Sequence, residues 1–329
     1  MAPSSMASSA PASSAPSSGA AGDGCTATKV GYPAITSLKG VKVGFSQSEP
    51  DNASFRAAET KSMKDEATKQ GAELLYANAN KDPQKQIADI KDLITKGAKL
   101  LIVAPLNSDG LQPAWDAAAA AKVPVVTVDR LVSQKPCKDY LTFIGSNFVS
   151  QGQRAADAMG GALGGKGNVV ILLGSSGNGV TTDRTSGFVD QMKAKYPGVT
   201  ISKQQTGDFD RAKGQAVASQ LLQADPTITG FYAENDEMGV GAYNAIKAAG
   251  KAPGKDIKIV SVDGIKDAVS KIETGDYTAV IQSNPRFGPL AFKALTDFET
   301  GTPVPNKIII TDGDYLDAAA AKAKIDQAF

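Results

Sequence analysis

The 329-residue chain carries 35 Lys and Arg against 34 Asp and Glu, so the formal net charge is +1, with no run of like charges to make a polyanion-binding face. It contains no histidine, which excludes Ser-His-Asp and Cys-His nucleophiles and every histidine-ligated metal site. Two cysteines, Cys25 and Cys137, are too few for an all-cysteine structural zinc site, while 42% hydrophobic residues suffice for a large core.

In chain order, residues 1–24 come first, and all but Met1, Met6 and Asp23 are Ala, Ser, Pro or Gly. Such a stretch cannot bury enough apolar surface to offset its ordering entropy, so it reads as disordered. It lacks the basic and apolar regions of a signal peptide and is similar to the tether of an exported domain. No apolar run long enough to span a membrane follows it. Cys25 has three readings: a disulfide with Cys137, as suits an exported protein, an unpaired thiol, or lipid attachment behind the poor Gly22-Asp23-Gly24 signal.

From Leu38 onward, short β-branched runs alternate with helical patterns. Val41–Phe45 predicts a strand, residues 55–70 a helix and Glu73–Tyr76 a second strand. Ile87, Ile90, Leu93 and Ile94 share one helical face, which Asp82-Pro83 opens and Gly97 closes. Leu100–Val103 and Val123–Val128 predict strands on either side of an Ala-rich helix over 110–121 that carries Trp115, a packing residue. The alternation restarts with strands at Asn168–Leu173, Thr200-Ile201, Gly230–Ala233 and Ile257–Val262, each followed by a helix. Strands at Tyr277–Gln282 and Lys307–Thr311 flank a helix over Pro289–Glu299. Apolar strands between helices mark parallel sheets covered on both faces, so the fold class is α/β with two doubly wound parallel-sheet lobes.

In such sheets, ligands sit beyond the carboxyl ends of the strands. There this sequence places Glu49, Asn52 and Phe55-Arg56, then Asp129-Arg130, Asp183-Arg184, Asp208-Phe209, Glu234-Asn235-Asp236, Asp263 and Gln282-Ser283. Carboxylates, amides and guanidinium groups satisfy hydroxyls that both donate and accept, and a ring covers the C–H face of a sugar. Gly174-Ser-Ser-Gly-Asn-Gly179 lacks the Lys-Ser/Thr of a phosphate-binding loop and reads as a strand–helix turn. Asp312-Gly-Asp314 with Asp317 starts like a calcium loop without its later ligands, so it reads as a turn and a helix cap.

These stretches resemble the periplasmic sugar-binding proteins of the ribose/galactose type, with the nearest match among the galactofuranose-binding members. The resemblance is carried by Val43-Gly-Phe-Ser-Gln47, Phe55-Arg-Ala-Ala-Glu59, Ala104-Pro105, Val128-Asp-Arg130, Asp183-Arg-Thr-Ser-Gly-Phe188, Gly207-Asp-Phe-Asp-Arg211, Asn235-Asp-Glu-Met238 and Val262-Asp-Gly264, in register over residues 39–329. It implies a type I periplasmic binding fold with a three-crossing hinge. Residues 38–144 with 285–311 would form one lobe and 147–282 with 313–329 the other, after a tether and lead-in over 1–37. The crossings would lie near Gly145-Ser146, Ser283-Asn284 and Asp312.

Residue by residue, the resemblance implies ligand contacts at Glu49, Asn52, Phe55, Arg56, Asp129, Arg130, Arg184, Phe209, Asn235 and Asp263. At the hinge either Gln282 or Ser283 faces the ligand, and Gln282 is the expected one. Ser54 precedes Phe55 where ribose-binding members double their aromatic wall, so a single first-lobe ring is expected. The implied function is capture of a monosaccharide or polyol outside the cytoplasm, by a monomer that closes on it and delivers it to an ABC permease in the membrane. No enzyme activity, cofactor, metal or nucleic-acid partner is expected, and a chemoreceptor stays open as a further partner. The rival readings are a glycoside-processing enzyme using the cleft carboxylates and the effector domain of a sugar-responsive regulator. Against the latter, no helix-turn-helix precedes Val41.

Overall fold

The computed structural model describes residues 24–32 and 35–329; the tether expected over residues 1–23 lies outside the described residues. In chain order, α1 (Ala27–Val30) precedes β1 (Lys42–Gln47), α2 (Ser54–Gln70), β2 (Glu73–Asn78), α3 (Pro83–Thr95), β3 (Leu100–Val103), α4 (Gln112–Ala120), β4 (Val125–Val128) and β5 (Phe143–Gly145). Next come α5 (Phe148–Ala162), β6 (Lys166–Leu173), α6 (Gly179–Lys195), β7 (Gly198–Thr206), α7 (Arg211–Ala224), β8 (Gly230–Ala233), α8 (Asp236–Ala248), β9 (Lys258–Asp263), α9 (Lys266–Glu273) and β10 (Ala279–Gln282). The chain then runs through α10 (Gly288–Glu299), β11 (Lys307–Ile309), β12 (Asp314–Tyr315) and α11 (Ala318–Lys324).

Two six-stranded sheets result, in the orders β11-β5-β4-β3-β1-β2 and β12-β10-β9-β8-β6-β7. Every pairing is parallel except that of β12 with β10. The backbone passes from the first sheet to the second after β5, back after β10, and across again between β11 and β12. The central strands β3, β4, β8 and β10 are buried along their whole length, as their continuous apolar runs require. In the first sheet, Phe45, Ile102 and Val128 meet Phe292 and Leu295 on one face, while Leu101, Val103 and Val125 meet Trp115 on the other.

Local chemistry sets the boundaries. Asp82 accepts from the N–H groups of Gln84 and Lys85, with Pro83 in the first turn of α3, and Gly97 follows that helix at φ 91°. The strand expected from Val123 begins at Val125 instead. Pro124 has no N–H to donate, and only its carbonyl joins the ladder, accepting from Leu101 N at 2.9 Å. Both sheets reverse their strand order beside the first strand of the lobe, between β1 and β3 and between β6 and β8. A crevice opens at such a point because the two loops there leave in opposite directions.

The lead-in differs from a free segment where it is described. Cys25 is fully buried, exchanges two 2.9 Å backbone hydrogen bonds with Val304 and forms a disulfide with Cys137, 112 residues away. Ala27 and Leu38 are buried in the same core. Cys137 precedes β5 and Val304 precedes β11, so the bridge sits toward the amino ends of the strands, opposite the cleft. Replacing both cysteines by alanine removes a constraint on the unfolded chain and is expected to lower stability by about 2–4 kcal/mol. Urea unfolding of the double variant checks this, and ligand affinity is expected to stay at the parental value.

Candidate functional site

A narrow cleft lies between the lobes at the carboxyl ends of both sheets. The first lobe lines it with Glu49, Ala53, Phe55, Arg56, Asp129 and Arg130, the second with Val180, Arg184, Phe209, Asn235, Glu237 and Asp263.

The first wall is a closed charge network. Arg56 meets Glu49 through Nε at 3.1 Å, Glu59 through Nη1 at 2.7 Å and Asp129 through Nη2 at 2.7 Å. Arg130 meets the other oxygen of Glu49 at 2.9 Å and Asp129 at 3.6 Å, and its Nη1 donates to the carbonyls of Pro105 and Leu106. Both guanidinium groups are about 95% buried. Burial opposes ionisation of Glu49, but Arg130 and Arg56 outweigh it and hold its carboxyl far below the ordinary range. Glu59 lies deeper, takes a hydrogen bond from Gln47 at 2.9 Å, and has its pKa raised by burial.

The second wall is built around Arg184. Its Nη2 lies 3.6 Å from Asp263, its Nη1 donates to the Glu234 carbonyl, and its Nε donates to Gln151 at 3.0 Å. Burial pushes the Asp263 carboxyl well up, with Arg184 opposing. Asp236 supports the turn that carries Asp263, accepting from Gly264 N at 2.7 Å, Ile265 N at 2.8 Å and the Ser261 hydroxyl. Burial raises its pKa to about 6 despite those donors. Glu234, buried behind the wall, accepts from Gly174 N at 2.7 Å and from Thr185, and burial lifts it to about 7.

Three cleft residues adopt backbone conformations unusual for side-chain-bearing residues: Asp129 at φ 65°, Phe209 at φ 54° and Asp263 at φ 144°. Such strain costs on the order of 1–3 kcal/mol each and persists only where the surroundings enforce it. At Gly174 a Cβ would stand 2.0 Å from the Phe209 ring, so only glycine admits that ring at the cleft. Phe55 faces the cleft from the first lobe, braced by Phe287 and Phe329 at ring distances of 6.4 and 5.9 Å.

Two expected contacts fall elsewhere. Asn52 is exposed and outside the lining, because the β1–α2 loop turns it to solvent. Gln282 spends its side chain on the strand crossing, accepting from Gly313 N at 2.8 Å and donating to Tyr315 Oη at 3.4 Å; Ser283 does not line the cleft either. Asn235 does line it while capping α8, accepting from Met238 N at 3.0 Å. Ala53, Val180, Glu237 and the supporting Gln151 went unanticipated. Of these, Glu237 alone had a signal, lying next to the Asn235-Asp236 pair in the Asn-Asp-Glu-Met block. In the Gly174–Gly179 loop, Asn178 caps α6 through Val180 N, as an ordinary turn does. Asp317 likewise caps α11, and no cluster of carboxylates or cysteines among the described residues could hold a metal ion.

Residues 43–303 match the model of the periplasmic binding protein domain. The chain belongs to the periplasmic binding protein family. Family relatives include the galactofuranose-binding protein YtfQ of Escherichia coli, 32% identical over 87% of this chain and 90% of that protein. The ribose import binding protein RbsB of Bacillus subtilis is 36% identical over 81% of this chain and 84% of that protein. In structure, the chain is similar to the binding component of the arabinose ABC transporter from Shewanella sp. ANA-3, solved with L-arabinofuranose. That match has a TM-score of 0.83 at 33% identity, covering 87% of this chain and 95% of that one. The type I fold implied by the sequence is the fold of the family and of this structure.

The buried carboxyls give this family member a characteristic response to pH. Glu49 is depressed in the folded state, so its stabilisation is present above the ordinary carboxyl range and is lost as the medium becomes strongly acid. Glu234 is raised, so its contribution has the opposite sign, falling as pH rises from about 4.5, the ordinary glutamate value, to about 7. Melting temperature of the ligand-free protein is therefore expected to fall between about pH 5 and pH 7. Glu59 and Asp236 are raised in the same direction, so Glu234→Gln, which keeps the shape without the charge, is expected to make that decline shallower in a melting series across the same range.

Proposed function

We propose that the protein is an extracytoplasmic receptor that captures a small, uncharged sugar or sugar alcohol between its lobes and delivers it to an ABC importer. The observation that carries this reading is the charge bookkeeping of the cleft. Arg56 and Arg130 each already meet carboxylates, and Arg184 has the Gln151 and Glu234 acceptors with Asp263 at 3.6 Å, so no guanidinium stands without partners to await an anion. An uncharged ligand rich in hydroxyls suits such a site, because each hydroxyl can donate to a carboxylate and accept from a guanidinium without displacing an ion pair. Two aromatic rings, one from each lobe, flank the same space and would cover the apolar C–H faces of a ring or chain. The names of the family relatives, which bind galactofuranose and ribose, point the same way.

In this mechanism the lobes are residues 38–144 with 285–311 and residues 147–282 with 313–329. They close by rotation about the passages near Gly145-Ser146, Ser283-Asn284 and Asp312. Glu49, Asp129, Arg130 and Arg56 grip hydroxyls from one side and Arg184, Asn235 and Asp263 from the other, so a bound ligand bridges the lobes. Phe55 and Phe209 exclude water. The ligand leaves unchanged. The closed form is the one presented to the permease.

A thermal-shift screen of pentoses, hexoses and alditols tests the ligand class, since a compound that binds only the folded state raises the melting temperature. Neutral sugars or polyols are expected to stabilise and their phosphorylated or carboxylated counterparts to do so weakly or not at all. Arg130→Ala removes one charge-assisted partner and is expected to weaken the best ligand by roughly 10- to 150-fold, equivalent to about 1.5–3 kcal/mol. Unchanged affinity by calorimetry would sink the site assignment.

A further inference from the structure

We propose that Glu237 of the second lobe caps helix α2 of the first, forming with Ser54 a closing contact that tightens the grip on every ligand equally. The proposal rests on the capture-and-closure reading above.

Helix α2 runs for 17 residues and points its amino end at the cleft, yet its own lobe leaves that end bare. The capping residue is Ala53, with no side-chain hydrogen bond, and the first turn carries no acidic residue. The unpaired N–H groups and the positive end of a helix of that length favour an anion there. The anion comes from across the cleft. One oxygen of Glu237 accepts from the Ser54 hydroxyl at 3.2 Å and from Ser54 N at 3.5 Å. Its other oxygen is held on its own lobe by Arg211 Nε at 2.6 Å, and Arg211 Nη1 is fixed in turn by Asp267 at 2.8 Å. Arg211 thus aims the carboxylate whether or not the first lobe is near, and opening the cleft would strip α2 of its cap.

Other links cross the rim, from Gly179 N to Ser108 Oγ at 3.2 Å and from Lys81 Nζ to the Asp208 carbonyl at 3.5 Å. Of these pairs, only Ser54 with Glu237 combines a charged acceptor, a helix end and a residue of the cleft lining. A contact made solely in the closed state multiplies the apparent affinity of all ligands by one factor and leaves their ranking alone.

The test uses Ser54→Ala, Glu237→Ala and the double variant, titrated by calorimetry with two sugars of different structure. Each single change is expected to weaken both sugars by the same factor, about three- to tenfold. The double variant is expected to bind no more weakly than Glu237→Ala, since either change breaks the same contact. Parental affinity in Ser54→Ala, losses that multiply in the double variant, or a loss confined to one sugar would overturn the proposal; the last would make Glu237 a ligand contact instead.

A second measurement needs no sugar. Ser54→Cys combined with Glu237→Cys is treated with a short bifunctional maleimide, the two native cysteines being joined in their disulfide. A cross-linked product is expected. No product would overturn the contact even if sugars still bind, whereas a product from a protein that binds no sugar would count against the receptor reading and not against the contact.

Discussion

Arginine out of water is the constraint on which the cleft depends. Arg56, Arg130 and Arg184 are each about 95% buried, and removing a charge from water is expensive unless its partners are already in place. The protein supplies them in depth. Arg56 alone has three carboxylates, from the β1–α2 loop, from its own helix and from the end of β4. Because those carboxylates come from separate elements, the ion pairs also fix how the elements sit. The wall is therefore organised before any ligand arrives, and little ordering remains to be done on binding.

The two walls solve this problem differently. In the first, the opposing charges stand side by side at the surface of the cleft, and Glu59 behind them keeps one oxygen without a partner. In the second, Arg184 is supported mainly by neutral acceptors, the Gln151 amide and the Glu234 carbonyl, while the carboxyl groups of Glu234 and Asp236 brace backbone from behind. Both arrangements hold strained residues. Asp129 and Asp263 sit at the ends of β4 and β9 with positive φ, which turns their carboxylates toward the guanidinium groups instead of along the strand.

The strands were readable where they were continuously apolar and buried. Leu100–Val103 and Gly230–Ala233 match β3 and β8 end for end, because a buried central strand leaves no polar position to blur its limits. The three-residue β5 and two-residue β12 were not anticipated, since pairing with a neighbouring strand, and not their own composition, makes them strands. Cleft-lining residues are readable at strand ends, where the local motif and the place in the sheet coincide, as in Asp129-Arg130. Asn52 and Gln282 lie outside the lining because a loop turn and a crossing decide which way a side chain points. Gln151 was invisible: it is an unremarkable glutamine one turn into a helix, and its role exists only once three distant segments meet around it.

That meeting point links the cleft to the passages between the sheets. Gln151 accepts from Arg184 with its oxygen and donates with its nitrogen to the Gln282 carbonyl at 3.2 Å and to Asp312 at 3.1 Å. Asp312 in turn accepts from Asn284 N at 3.2 Å. Gln151 lies just after the first passage, Asn284 lies in the second and Asp312 in the third, so one buried amide and one carboxylate with its side chain 2% exposed tie all three strands of the crossing together. A buried hydrogen-bonded group of this kind resists partial rearrangement, because any single bond broken leaves a polar atom without water or partner. The knot fastens Arg184 to the crossing, and the lobe rotation proposed above would be taken up in the backbone around it. The guanidinium in the second wall would keep its orientation through such a closure for the same reason that the crossing keeps its shape.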